Sequence, residues 1–189
     1  MEQLVRKAYR HGNVPNAMRA AARAILDEGD APAVGLREMA RRTGVSATAA
    51  YRHFASKEEL LASVAAEGFQ ELSAAMEAAM NEPDRLLGLG LAYVEFALQK
   101  RGLFRLMFGP ILAERAKYPP LKQAAAEAFR TFRAAQAAAG HPDEDEHDAL
   151  AAWGLIHGLS SLFIEGLVPQ RRIESMATEI IGKASRRVS

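Results

Sequence analysis

The sequence LREMARRTGVSATAAYRHF at residues 36–54 decides the fold of the N-terminal part of the chain. It is typical of a short helix, a glycine turn and a second short helix. Ala40 is small where two helices must cross closely, Gly44 tolerates the left-handed backbone of a tight turn, and Val45 can fill the crossing from that turn. The spacing therefore predicts a helix-turn-helix, a motif whose second helix typically enters the major groove of DNA.

The second helix of this motif is predicted to begin with small side chains and to end with larger polar ones. Short side chains let the start of a helix lie deep in a major groove, while longer ones reach the flanking phosphates. A core position is the alternative for the aromatic residue at 51. The residues predicted to face DNA are Ser46, which also caps the helix, and Ala47, Thr48, Ala49, Tyr51, Arg52 and His53.

Charge is distributed unevenly along the chain. Residues 1–57 contain ten basic and five acidic residues, a net charge of +5, and the remainder carries −4 within an overall charge of +1. A compact basic segment favours a polyanionic partner such as nucleic acid. A basic arm could reach phosphates or the minor groove, or could be a terminus without a role; its residues are Arg6, Lys7, Arg10 and His11.

Four sequence runs together resemble the N-terminal domain of the TetR family of transcriptional regulators. They are YRHG at 9–12, GLREMA at 35–40, GVS at 44–46 and YRHFASKEELL at 51–61. The resemblance spans about residues 9 to 69. It implies three DNA-binding helices, a fourth linking helix and a divergent helical domain for ligand binding and dimerisation.

The resemblance also implies roles for individual residues. Arg37 matches a position on the second helix that can contact a base, and residues 47–49 match the base-facing start of the recognition helix. Tyr51 and His53 match phosphate or groove contacts, and Lys57 matches a phosphate anchor at the start of the fourth helix. The sequence departs from the family pattern at Ala49, whose methyl group can contact only a thymine methyl, and at Ala50, where Leu is more usual.

The rest of the chain is predicted to be helical as well. Alanine makes up a fifth of the residues, which favours helix, and Gly and Pro residues separate segments with helical periodicity. The sequence predicts an all-α protein of about nine helices, with an N-terminal domain at 1–60 and a helical regulatory and dimerisation domain at 61–189. The predicted helices cover about 15–28, 36–43, 47–54, 57–80, 84–100, 103–107, 121–139, 143–167 and 173–184.

Residues 149–168 form the least polar segment of the chain. Twenty residues could span a bilayer, but His157, Ser160 and Glu165 argue against that location. A helix that is apolar on all sides must be buried on all sides. We therefore expect one face to meet its own domain and the other, together with the amphipathic helix at 173–184, to form a homodimer through a four-helix bundle.

The same segment contains a short motif with Trp153, His157 and Gly158, which resembles the C-terminal WHG domain of some TetR-type regulators. Trp153 and His157 lie one turn apart and so share a helix face, and the resemblance implies that this pair lies near the regulatory core. Ordinary core packing is the alternative for all the candidates. The predicted ligand-binding residues are Phe96, Met107, Phe129, Trp153 and His157.

The sequence contains little that indicates a metal site, a cofactor site or an enzyme. The acidic run at 141–148 combines His with carboxylates, but acidic residues in the first turn of a helix are explained by the helix dipole, and no metal or cofactor is predicted. The chain has no Cys and no HExxH, G-x-S-x-G or phosphate-loop motif, so an enzyme is not expected.

The sequence thus predicts a cytoplasmic, nucleoid-associated homodimer that binds double-stranded DNA and regulates transcription. A small-molecule effector of unknown identity is expected to release it from a palindromic operator, which makes it a repressor. The alternative is a helical adaptor that binds proteins without binding DNA. No signal peptide or membrane span is expected at 1–15 or elsewhere.

Overall fold

The computed structural model describes residues 14–29, 34–81, 84–138 and 147–187, which contain no β-strand. The described helices are α1 (Val14–Asp27), α2 (Leu36–Thr43), α3 (Ala47–His53), α4 (Lys57–Ala79), α5 (Arg85–Gln99), α6 (Arg101–Met107), α7 (Pro110–Ala113), α8 (Pro119–Ala138), α9 (His147–Ile164) and α10 (Ile173–Arg187), with short 3₁₀ segments at Arg115–Lys117 and Gln170–Arg172. One of these ten helices, α7, is a single turn of four residues, so nine longer helices remain. The prediction of an all-α chain with about nine helices is therefore confirmed over these residues. The predicted arm at 6–11 and the acidic residues 141–146 lie outside them.

Helices α1, α2 and α3 form the predicted helix-turn-helix unit, called the head below. Gly44 adopts the left-handed conformation, with φ of 69°, and its N–H bonds back to the last turn of α2. Val45 follows the turn and is buried, and Ala40 is buried at the crossing. Met18 and Ile25 of α1 are completely buried and complete the core beneath the two short helices. The conformations expected of these turn and crossing residues are therefore observed.

Helix α4 connects the head to the rest of the molecule, called the body below. Its start resembles a capping box: the N-cap Ser56 Oγ accepts the N–H of Glu59 at 3.1 Å, and the Glu59 carboxylate accepts the N–H of Ala55, one residue before the cap, at 2.6 Å. The helix is 23 residues long, and its buried side chains extend from Leu60 near the start to Met76 near the end. Because α4 packs against α1 in the head and against α5 and α8 in the body, it connects the two units.

Helices α5, α6, α8, α9 and α10 pack around one core in the body. Close packing is clearest at Gly90 of α5, where an added Cβ would lie 2.8 Å from the Ile181 side chain of α10. Helix α9 ends at Ile164, three residues before the predicted end, because Gly166 takes the left-handed conformation and the N–H of Leu167 bonds to the carbonyl of Leu162 at 3.1 Å. Helix α8 starts two residues earlier than predicted, at Pro119, because proline is favoured in a first turn.

None of the described helices combines the length and the apolar character needed to cross a membrane. The apolar segment at 149–168 is instead divided in the structure, since its helix ends at Ile164 and a turn follows. Within the described residues, no group of three or more His, Asp or Glu side chains comes together in a way that could hold a metal ion.

Candidate functional site

Helix α3 is the most accessible helix of the head. Ser46 caps it by accepting the N–H of Ala49 at 3.1 Å. Ala50 is completely buried and so fixes which side of α3 faces the core, while Tyr51 is 51% exposed. The alternative that Tyr51 is a core aromatic is therefore wrong. Of the seven residues predicted to face DNA from this segment, Ala49 is half-buried and the others are exposed: Ser46, Ala47, Thr48, Tyr51, Arg52 and His53.

Three cationic side chains near α3 are available to a ligand. Arg37 is exposed on α2, Arg52 is exposed on α3, and Lys57 is half-buried at the first residue of α4. Within the described part of the chain, none of the three takes part in an ion pair or a side-chain hydrogen bond. Because none of the three forms an ion pair with these residues, all three can form direct contacts with phosphate.

The neighbouring Arg41 and Arg42 are already engaged by acidic side chains. Arg41 donates two hydrogen bonds to Glu38, at 2.7 and 2.6 Å, and Arg42 donates one to Glu38 at 3.0 Å and two to Glu28 at 3.1 Å. These bonds, chiefly that from Arg41, lower the pKa of Glu38 to about 2. The two arginines therefore stabilise the end of α2 and are poorer candidates for base contacts than Arg37.

An ion-pair cluster joins the head to the body. The Glu71 carboxylate of α4 accepts hydrogen bonds from Arg23 of α1 and from Lys100, the residue between α5 and α6. The hydrogen bond from Arg23 is the main reason that the pKa of Glu71 is lowered to about 2. A second ion pair, between Arg19 and Glu67, lies one turn earlier on both helices. One carboxylate thus links α1, α4 and the segment between α5 and α6.

A close backbone contact lies beside this cluster. Gly102, in the first turn of α6, approaches the carbonyl group of Leu26 in the last turn of α1, and an added Cβ would lie 2.6 Å from the carbonyl carbon. Only glycine allows this approach. Because α6 belongs to the body and α1 to the head, this contact fixes the distance between the two units.

The body contains a continuous cluster of aromatic rings, called the aromatic cluster below. Tyr93 of α5 is completely buried at its centre. Its ring lies 5.8 Å from Phe104, 5.3 Å from Trp153 and 6.4 Å from His157 between centroids. Its hydroxyl lies 3.1 Å from His157 Nδ1. The members of the cluster are Phe69, Tyr93, Phe104, Phe108, Phe129, Phe132, Trp153 and His157.

The structure brings together three of the five predicted ligand-binding residues. Trp153 and His157 share a face of α9, and Phe129 of α8 lies 5.6 Å from the Trp153 ring. Phe96 lies apart, with Lys100 Nζ 5.2 Å from its ring centroid, and the sulfur of Met107 packs against Gly68 of α4. The two outliers are therefore placed among packing and junction contacts.

Sequence reasoning missed the other five rings of the aromatic cluster. Tyr93 is 64 residues away from its partner His157 in the sequence, and no local spacing links the two. Phe104 and Phe108 have one-turn spacing that marks a shared helix face, which was the available signal. Nothing in the periodicity of α6 indicates that this face meets α9.

One side of α9 is apolar and exposed. Leu150, Leu155 and Leu162 are 61%, 39% and 46% exposed, and an added Cβ at Gly154 or Gly158 would have no atom within 4 Å. Isolated leucines on a surface are common, but a row of them along one helix beside two glycines is not. We call this surface the α9 face.

Family models match both parts of the chain. Residues 19–64 match the model for bacterial regulatory proteins of the tetR family, and residues 86–181 match the model for the tetracyclin repressor-like C-terminal domain. The second match does not confirm the WHG resemblance. Among curated proteins, no sequence matches this chain significantly.

Solved structures share the whole fold. A protein of unknown function from Rhodococcus sp. RHA1 is 29% identical, with a TM-score of 0.81 over 94% of this chain and 96% of that one. A tetR-family regulatory protein from Rhodococcus RHA1 is 27% identical, with a TM-score of 0.69 over 94% and 98%. The multidrug binding protein EbrR complexed with ethidium is 18% identical, with a TM-score of 0.68 over 93% and 99%, and shows the fold alone.

Proposed function

The chain belongs to the TetR family of bacterial regulatory proteins, and on this premise we propose that it is a homodimeric repressor that leaves a palindromic operator when a small molecule binds its body. Regulation of transcription through DNA binding is the general function of the family. The domain division at 1–60 and 61–189 is part of the proposal, and it places the boundary at the end of the first turn of α4, which begins at Lys57.

One observation carries the DNA-binding part of the proposal. Helix α3 presents small and polar side chains to solvent, and the unpaired cations Arg37, Arg52 and Lys57 accompany it. Short side chains at 46–49 allow the start of α3 to approach the floor of a major groove, where Thr48 can donate to or accept from a base edge and the alanine methyl groups can contact thymine. The cations and Tyr51 would then meet the phosphates.

The α9 face supports the dimer. We propose that Leu150, Leu155 and Leu162 pack against the same face of a second copy, with Gly154 and Gly158 permitting close approach of the two helices. Helix α10 packs beside α9 and would complete a four-helix bundle. In the proposed dimer, the two-fold axis at this bundle would have to hold the two α3 helices about 34 to 36 Å apart, the spacing of successive major grooves.

The head–body junction supports a mechanism of release. The DNA-bound and released states would differ in the angle of the head, so an effector acts by binding the released state more tightly. The Glu71 cluster and the contact of Gly102 with Leu26 carry a displacement of α6 directly to α1. A small molecule that moved α6 would therefore alter the separation of the two α3 helices.

We propose no catalytic activity, metal or cofactor for this protein. We propose that it acts in the cytoplasm, because the head would bind chromosomal DNA. A helical adaptor that binds only proteins is the alternative. The row of unpaired cations beside exposed α3 favours DNA, because an adaptor surface does not require that charge arrangement.

Titration of the full-length protein against bulk genomic DNA at several salt concentrations tests the proposal. We expect affinity to fall steeply with salt, because phosphate contacts release counterions. K57A should weaken binding to all sequences and lower the slope of log affinity against log salt by about one, whereas T48A should alter preference among sequences. K122A removes an exposed lysine from α8 in the body and is the control. Binding without a salt dependence would favour the adaptor.

A further inference from the structure

The aromatic cluster contains one polar pair whose protons can be assigned. The Tyr93 hydroxyl is completely buried and lies 3.1 Å from His157 Nδ1, its one hydrogen-bond partner among the described residues. A buried hydroxyl proton without an acceptor would carry the full cost of desolvation. Tyr93 therefore donates and Nδ1 accepts, which places the imidazole proton on Nε2.

Two further features support this assignment. Burial raises the pKa of Tyr93 well above its usual value, so that the phenol keeps its proton. Burial also lowers the pKa of His157, so that the imidazole stays neutral near pH 7. The His157 ring is held in place by Phe104, stacked at 5.3 Å, and by Phe108 at 4.4 Å. The orientation of the Nε2–H group is therefore fixed.

Two N–H groups of the aromatic cluster have no protein partner. Within the described residues, neither His157 Nε2 nor the indole nitrogen of Trp153 forms a hydrogen bond. Neither nitrogen is among the fully buried polar atoms that lack partners, so both remain accessible. Trp153 and His157 lie one turn apart on the same face of α9, so the two donors belong to neighbouring side chains of the cluster.

The rings around these donors form an accessible wall. Phe108, Phe129, Trp153 and His157 are each partly exposed, and adjacent members lie 4.4 to 6.5 Å apart between centroids. The buried rings of Tyr93 and Phe132 support this wall from behind. The rings of this wall are inclined to one another by 51 to 76°, so an aromatic molecule can contact them face-on or edge-on, and the two N–H groups favour a molecule that carries an acceptor.

We propose that this wall binds a planar aromatic molecule with an accepting oxygen, and that the oxygen receives the Nε2–H of His157. The inference rests on the proposed function, because it names the chemical class of the effector. An aromatic cation, the kind of molecule that EbrR was solved with, gains nothing from these two donors and is the competing class.

Two probes that differ in one atom test the proposal by equilibrium dialysis against the full-length protein. The first is 2-acetylnaphthalene, and the second is 2-isopropenylnaphthalene, in which a CH₂ group replaces the carbonyl oxygen. We expect the ketone to bind about three- to tenfold more tightly, the range of one net neutral hydrogen bond, although the alkene is the more hydrophobic probe.

Variants locate the preference at His157. H157F should bind both probes equally, while H157Q, whose amide can still donate, should keep part of the preference. Y93F should weaken the preference, because the tautomer is no longer fixed. F96L changes a buried ring outside the aromatic cluster and should leave the ratio unchanged. Circular dichroism confirms that each variant is folded.

Any one of four results would overturn the inference. These are equal binding of the two probes by the wild type, binding of neither probe, tighter binding of ethidium than of the ketone, and a preference for the ketone that persists in H157F. The same samples are titrated with genomic DNA at several salt concentrations without probe. Salt-dependent DNA binding without a ketone preference overturns the effector class and leaves the proposed function standing, whereas loss of DNA binding in the wild type contradicts the proposed function itself.

Discussion

The substitution G102A tests the junction between head and body. An alanine Cβ would lie 2.6 Å from the carbonyl carbon of Leu26, whereas ordinary contact begins near 3.4 Å. The neighbouring atoms are backbone and cannot rotate away, so α6 and α1 must separate by about 1 Å. Insertion of one methyl group into such a contact costs about 1–3 kcal/mol, partly offset by about 0.5–1 kcal/mol from the higher helix propensity of alanine.

We expect G102A to unfold at lower urea concentration and to bind operator DNA more weakly, because the displaced α1 carries the head with it. Urea denaturation followed by circular dichroism gives the first quantity, and fluorescence anisotropy with a labelled operator gives the second. R101A, an exposed neighbour on α6, is the control and should change neither. Unchanged stability together with unchanged DNA affinity in G102A would refute the claim that this contact sets the position of the head.

Three further predictions follow from the ion pairs, the buried histidine and the α9 face. E71Q should lower the free energy of unfolding by about 1 kcal/mol in urea denaturation at pH 7, a low value because the ion pairs are partly exposed. The pKa of Glu71 is about 2 in the folded protein and ordinarily 4.5, so the difference from wild type should shrink as pH falls from 4.5 towards 2. A difference that stays constant with pH would contradict this. Because the pKa of His157 is lowered in the folded protein, the unfolded chain binds a proton more readily, and the stability of the wild type should fall as pH drops below about 6.5. The stability of H157F should depend less on pH between 7 and 5.5. Parallel curves of stability against pH for the two proteins would exclude a contribution from His157. L155E should shift the protein from dimer to monomer in analytical ultracentrifugation while Q70E, an exposed change on α4, should not, and a dimeric L155E would exclude the α9 face as the interface.

The head was predictable because its determinants are local. The turn at Gly44 and the caps at Ser46 and Ser56 each depend on residues within four positions of one another. Helix existence in the body was predictable for the same reason. The exact ends of the helices were less predictable. Helix α9, for example, ends through hydrogen bonds at Leu162 and Gly166 that hydrophobic periodicity does not reveal.

The contacts between helices were not predictable from one sequence. Trp153 and His157 could be placed on one face by their spacing, but their partners Tyr93 and Phe104 come from other helices. Glu71 was unremarkable in the sequence, and its importance comes from a fold that brings two distant cations to it. Tertiary packing decides such contacts.

Selection of bound fragments from the source genome tests the central claim most directly. Fragments retained by the purified full-length protein are sequenced, and the most enriched one is footprinted. The account predicts a palindrome protected on one face of the DNA, with half-sites about one helical turn apart. Retained fragments with no common sequence, or a single protected half-site, would contradict a dimeric, sequence-specific regulator.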